Sequence, residues 1–359
     1  MTPRERVSRW LEEHEVEAAW FARPNNFAWL TGGDNRISKA APVGDAAVGY
    51  DGETLTVLAS NIEAQRLQEE ELPPGIEVES FPWYESLLGE AIVQTTPTPA
   101  VADFDVPGLG RIDAADLRQP LHPEAIEIYR SLRRDVVEAV ESVLRDVSST
   151  DSEREVAARL QYALTGRGIT TPVVLVGSAE RAQQYRHYTV TDELLGEYAL
   201  VSVSSEREGL YTSLTRTVAF DAPDWLTDRT EAANRVETTA LAATRAVGRE
   251  GGKAKEVFAA IQDAYAEVGY PGEWGRHHQG GAAGYAGREW VATPENDATV
   301  KLPMAYAWNP TVQGAKSEGT VLVSEEEIDL LTEPLDWPTR EVEAVGYDLT
   351  LERPAALHL

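Results

Sequence analysis

The chain has no cysteine, which excludes disulfides, thiolate nucleophiles and cysteine-bound metal together. Lysine is nearly as scarce, standing only at positions 39, 253, 255, 301 and 316. No apolar run approaches the roughly 18 residues that cross a bilayer, so no membrane association is expected. Basic charge is deficient as well: 32 Lys and Arg face 60 Asp and Glu, a formal net charge of −28 at pH 7. A surface of that sign repels polyanions, so nucleic acid is not expected as a partner.

What is present is acid, dispersed along the chain rather than gathered into a tail, which reads as a solvated acidic shell on a folded protein. Salt at about 1 M shortens the screening length to about 3 Å and removes the self-repulsion such a shell creates. A halophilic, cytoplasmic protein is therefore expected. The opening "MTPRERVSRWLEEHEVE" reads as a charged amphipathic helix rather than a signal peptide.

At 359 residues the chain is comfortable for two domains. A helix over 5–18 leads into "AAWFARPNNFAWLTGG", a buried strand, a Pro-Asn-Asn turn and a second apolar stretch. "AAVGYDGETLTVLAS" reads as a hairpin, because Asp51-Gly52 separates two alternating apolar runs. Residues 1–119 form one α/β domain on this reading. Residues 120–359 form the second, opening with a helix whose apolar residues fall at 126, 129, 132, 136, 140, 143 and 144. Two successive halves, each helix, helix, strand, strand, suggest an internal duplication. The fold class is α+β.

"HYTVTDELLGEYALVSVSSEREGLYTSLTRT" (187–217), "HHQGGAAG" (277–284), "WNP" (308–310) and "GAKSEGTVLV" (314–323) together resemble the M24 peptidases, the pita-bread enzymes that include prolidase, aminopeptidase P and creatinase. "RPNNFAWLTGG" is similar to the N-terminal domain of the creatinase and prolidase branch. The resemblance implies an N-terminal creatinase-like α/β domain followed by a duplicated pita-bread domain. It also implies a homodimer.

Peptidases of this family hold two metal ions about 3.5–4 Å apart, which activate water and polarise the scissile carbonyl. The resemblance carries their five ligand positions onto Ser202, Ser213, Gly281, Asn309 and Glu318. One carboxylate among neutral residues cannot seat two dications, since ligand charge and number set affinity. No metal or other cofactor is expected.

Creatinase, within the same family, cleaves a C–N bond with a histidine as acid and base. By resemblance His187 takes that role, with Glu318 beside it to orient it or to hold a substrate ammonium. An imidazole suits the task because its ordinary pKa lies near neutrality. His277 falls where the peptidases keep a substrate-binding histidine, Arg288 replaces a family histidine, and Tyr211 stands on the Tyr-Thr-x-Leu strand. These three are the expected substrate contacts, Arg288 through its planar fork. Adjacent residues of a strand point to opposite faces, so at most one of His277 and His278 is expected to face the pocket.

Three readings stay open. The first is a metal-independent hydrolase of an amide or amidine in a small polar substrate. The second is a non-catalytic pita-bread binding protein, and the third an Xaa-Pro dipeptidase or aminopeptidase with altered ligands acting on a dipeptide-like substrate.

Overall fold

The computed structural model describes residues 1–359, which divide into two compact units, 1–122 with 208–210 and 123–207 with 211–359. No helix is long and apolar enough to cross a membrane.

In the first unit, helix Pro3–His14 begins with a reciprocal cap: the Thr2 hydroxyl accepts from the Glu5 amide while the Glu5 carboxylate accepts from the Thr2 amide. Asp51 and Gly52 do turn the chain between antiparallel strands Ala46–Tyr50 and Leu55–Ser60. Asp51 Oδ1 accepts from the amides of Glu53 and Thr54, and Gly52 supplies a φ of 96° that a side chain would resist. The apolar stretch after Arg23 is a helix, Pro24–Thr31, with Pro24 in the first turn and Gly32 in the left-handed region at its end. The six strands of this unit order as 77–81, 55–60, 46–50, 18–21, 100–102, 110–111. Trp20, Ala47, Leu58, Ile92 and Phe104 form a buried cluster of the unit.

The second unit repeats its plan. Helices Pro123–Arg145 and Glu153–Thr165 precede strands Thr170–Ser178, Tyr198–Arg207 and Leu210–Ala219. Helices Leu226–Arg249 and Ala254–Glu267 precede strands Gly280–Ala283, Met304–Trp308 and Gly319–Val323. Tyr129, Leu132, Val136, Val140 and Leu144, on the stripe anticipated from the sequence, are buried. The strands form one sheet in the order 280–283, 304–308, 319–323, 210–219, 198–207, 170–178. The two repeats meet where Gly319 pairs with Leu214. That seam brings residues 213–215 beside Glu318.

The arginine of the Leu-Thr-Arg-Thr motif serves packing. Arg216 is buried and donates through Nε and Nη2, at 3.0 and 2.9 Å, to Glu141 Oε1 of the long helix. Glu141 Oε2 accepts the amides of Leu335 and Asp336 at 3.2 Å each. Helix, sheet and C-terminal segment are thus joined by charge-assisted bonds. Removing one partner of such a buried pair typically costs about 3–5 kcal/mol, because the other charge is left without compensation.

Candidate active site

At the seam the interior holds a continuous hydrogen-bonded chain. Lys316, 6% exposed, donates through its ammonium to Glu318 Oε2 at 2.8 Å and to Ser202 Oγ at 3.2 Å. Thr215 Oγ1 donates to Glu318 Oε2 at 2.9 Å, which leaves it to accept from Ser202 Oγ at 2.7 Å. With the Ser202 proton committed there, the Tyr188 hydroxyl at 3.4 Å completes the chain as donor. Tyr188 stays protonated, since burial pushes its phenol up. The second serine of the pair, Ser213, hydrogen-bonds Ser204 at 2.8 Å instead, and Thr320 Oγ1 accepts its amide at 2.7 Å.

Glu318 is a fixed anion in this setting. Burial alone would raise its carboxyl, but the ammonium of Lys316 and the guanidinium of Arg288 override it and hold the group at about 2. Arg288 Nη2 reaches Glu318 Oε1 at 3.2 Å. Both carboxylate oxygens are therefore taken by Lys316, Arg288 and Thr215, and the nitrogen facing His187 belongs to His277. Arg288 Nη1 donates to the Gly287 carbonyl at 2.6 Å, whereas Arg288 Nε is buried without a partner. A buried donor left over in this way suits an incoming acceptor such as a substrate carboxylate. Tyr211 is half-buried; its carbonyl accepts from the Tyr129 hydroxyl at 2.7 Å, and its ring flanks Gly287.

His187, His277 and His278 form one cluster, their candidate ligand nitrogens all within 4.8 Å of one another. Strand alternation, which would admit one of the adjacent pair, does not operate here. Residues 277–279 precede the strand, which starts at Gly280 with φ 92°, and the two rings lie 4.4 Å apart. His277 Nδ1 faces the Asn309 carbonyl oxygen at 3.3 Å, and a carbonyl only accepts, so Nδ1 carries the proton. Burial, reinforced by the Lys316 ammonium, brings His277 down to about 2 and keeps it neutral. Its Nε2 lone pair then accepts from His187 Nε2 at 3.1 Å, which leaves Nδ1 of a neutral His187 with the free lone pair. His187 and His278 reach solvent at one edge, yet the protein packed against their other sides strips part of their hydration; that desolvation, with Lys316, lowers His187 and, with Arg288 and Lys316, takes His278 to about 4.

The family's dinuclear centre does not fit these residues. Ser202 and Ser213 bring no charge, and the Asn309 Oδ1 is a buried neutral acceptor with no partner. At Gly281, a Cβ would lie 2.1 Å from the Trp290 carbonyl oxygen and 3.0 Å from its ring, so no ligand side chain has room to start. The one remaining carboxylate, Glu318, already neutralises Lys316. An ammonium held within reach of Ser202 and Glu318 repels a dication there.

Lys316 and Tyr188 were not singled out as functional residues from the sequence. Lys316 has one signal in retrospect, because five lysines in so acidic a chain make a lysine two residues before Glu318 conspicuous.

The Xaa-Pro dipeptidase of Pyrococcus furiosus is 24% identical over 351 residues, spanning 91% of this chain and 97% of that protein. The Xaa-Pro dipeptidase of Pyrococcus horikoshii is 21% identical over 347 residues, 89% and 93% of the two chains. The crystal structure of the prolidase from Pyrococcus horikoshii OT3 superposes with a TM-score of 0.76 at 18% identity, over 93% of this chain and 98% of that one, a likeness of fold. Residues 124–327, which contain every residue of the site, match Metallopeptidase family M24, and the chain, with its pita-bread architecture, belongs to that family.

Proposed function

We propose that the protein hydrolyses a C–N bond in a small, carboxylate-bearing amide, dipeptide-like in size, and that side chains replace the dinuclear centre in doing so. The observation that carries this reading is the buried Lys316 ammonium bound to Ser202 and Glu318, a fixed positive charge where the family keeps its ligands. The relatives named Xaa-Pro dipeptidase support the substrate class.

The roles follow from which atoms are free. His277 orients His187 through the Nε2 pair, so His187 Nδ1 is the base that takes a proton from water as the water oxygen bonds to the substrate carbonyl carbon. The carbonyl electron pair moves to oxygen, and the charge that develops there is stabilised by Lys316. When the C–N bond breaks, the proton on His187 Nδ1 passes to the departing nitrogen, leaving acid, amine and neutral imidazole. Arg288 Nε receives the substrate carboxylate, and Tyr211 flanks that side.

The test is hydrolysis of a panel of dipeptides and N-acyl amino acids in concentrated KCl, with and without EDTA. Turnover unaffected by EDTA and abolished in His187→Ala is expected. Turnover that needs added Mn²⁺ or Co²⁺ would establish a metallopeptidase with altered ligands. Saturable binding of panel compounds with no hydrolysis of any would establish a non-catalytic binding protein.

A further inference from the structure

The acid–base pairing accounts for His187 and His277 and leaves the third ring of the cluster unused. We propose that His187, His277 and His278 bind a single late first-row divalent cation, Zn²⁺ or Cu²⁺, at a position separate from the family's dinuclear pair.

Geometry favours this. The nitrogens His187 Nε2 and His277 Nε2 are 3.1 Å apart, close to the separation of about 3.4 Å between two imidazole ligands at about 2.1 Å in tetrahedral Zn²⁺ coordination. The His278 nitrogen falls within the same 4.8 Å group. His187 and His278 are exposed, so an ion reaches them from solvent and their rings can close on it. His277 is buried and held by its Nδ1–H on the Asn309 carbonyl. Metal-bound histidines are oriented by this same arrangement, the far ring nitrogen donating to a backbone carbonyl.

Chemistry selects the ion. Three neutral imidazoles suit Zn²⁺ and Cu²⁺ and are poor ligands for Mg²⁺ or Ca²⁺, which prefer oxygen. Lys316 and Arg288, whose positive charges bear on His278, oppose a bare dication and favour an anion such as hydroxide or chloride as the fourth ligand. The bound ion takes the lone pair through which His277 orients His187. It therefore inhibits turnover, and this consequence, unlike the site itself, rests on the function proposed above.

The experiment is equilibrium competition between the chelator-stripped full chain and a chromogenic zinc chelator in concentrated KCl. One Zn²⁺ per chain is expected, at a concentration where excess Mg²⁺ does not compete. The His278→Ala variant should lose at least about 100-fold in affinity, as much as losing an outer-shell partner can cost, while Ser213→Ala binds as the unaltered protein does. Anomalous scattering at the zinc edge should put the ion within about 2.2 Å of all three imidazoles. Absence of saturable binding, an unchanged affinity in His278→Ala, or an ion among surface carboxylates would overturn the proposal. Binding without inhibition would support the ion site and count against the acid–base roles.

Discussion

Lys316 Nζ and Glu318 Oε2 lie 2.8 Å apart on alternate residues of one chain segment, both buried. In the function proposed above, the pair puts a covalently tethered cation, which a chelator cannot remove, beside the reacting carbonyl. Lys316→Met keeps the length of the side chain and removes the charge. It is expected to lower kcat/KM about 10²- to 10³-fold, the usual loss when one donor to a developing oxyanion is deleted. It also leaves Glu318 with Arg288 as its one cationic partner, at a cost in stability of about 3 kcal/mol. Steady-state kinetics and urea unfolding of the same preparation measure both, and undiminished turnover would remove Lys316 from the mechanism.

Acid should destabilise the fold in two stages. His277 titrates at about 2 when folded against an ordinary 6.5. Between those values the unfolded chain binds the extra proton, so this contribution is complete above pH 6.5 and erodes as pH falls. The slope is about 1.4 kcal/mol per pH unit for one proton. Glu318, at about 2 against an ordinary 4.5, contributes fully above pH 4.5 and loses that contribution as pH falls towards 2. Since acid also relieves the self-repulsion of the acidic surface, the measurement is a difference. The unfolding free energy of the unaltered protein minus that of His277→Asn, in EDTA, should shrink from pH 7 to pH 5. A difference that grows would contradict the neutral, buried imidazole.

The Arg216 and Glu141 pair should behave as architecture. Arg216→Met and Glu141→Gln are each expected to cost about 3–5 kcal/mol, while the double variant recovers part of the loss because no buried charge is left alone. Denaturant midpoints across this double-mutant cycle check the prediction. Fully additive losses would mean the two side chains do not act as a pair.

Much of the fold was legible because it depends on local pattern. Asp51-Gly52 marked its turn, the 3.6-residue stripe from Tyr129 to Leu144 marked the long helix, and the repeated order of helices and strands marked the duplication. The helix Pro24–Thr31 was not identified, since it is short and its apolar run Phe27–Leu30 is buried throughout, which leaves no face to betray its period. The C-terminal pairings were missed for another reason. Leu357 and His358 join Val218 and Ala219 in parallel, a contact between segments far apart in sequence and without local signature.

The sequence by itself determined the family and the order of elements, and the resemblance it carries implied uncharged residues at four of five ligand positions, because each is a matter of which residue stands at a given spacing. Tertiary structure alone decided what packs around those positions. The scarcity of lysine makes Lys316 conspicuous without saying where it lies, and only the seam between the two repeats buries it against Ser202 and Glu318. Adjacent histidines read as facing opposite ways, and only the irregular segment before Gly280 turns both towards His187. Burial and convergence belong to segments brought together from distant parts of the chain, and residue type carries no record of them.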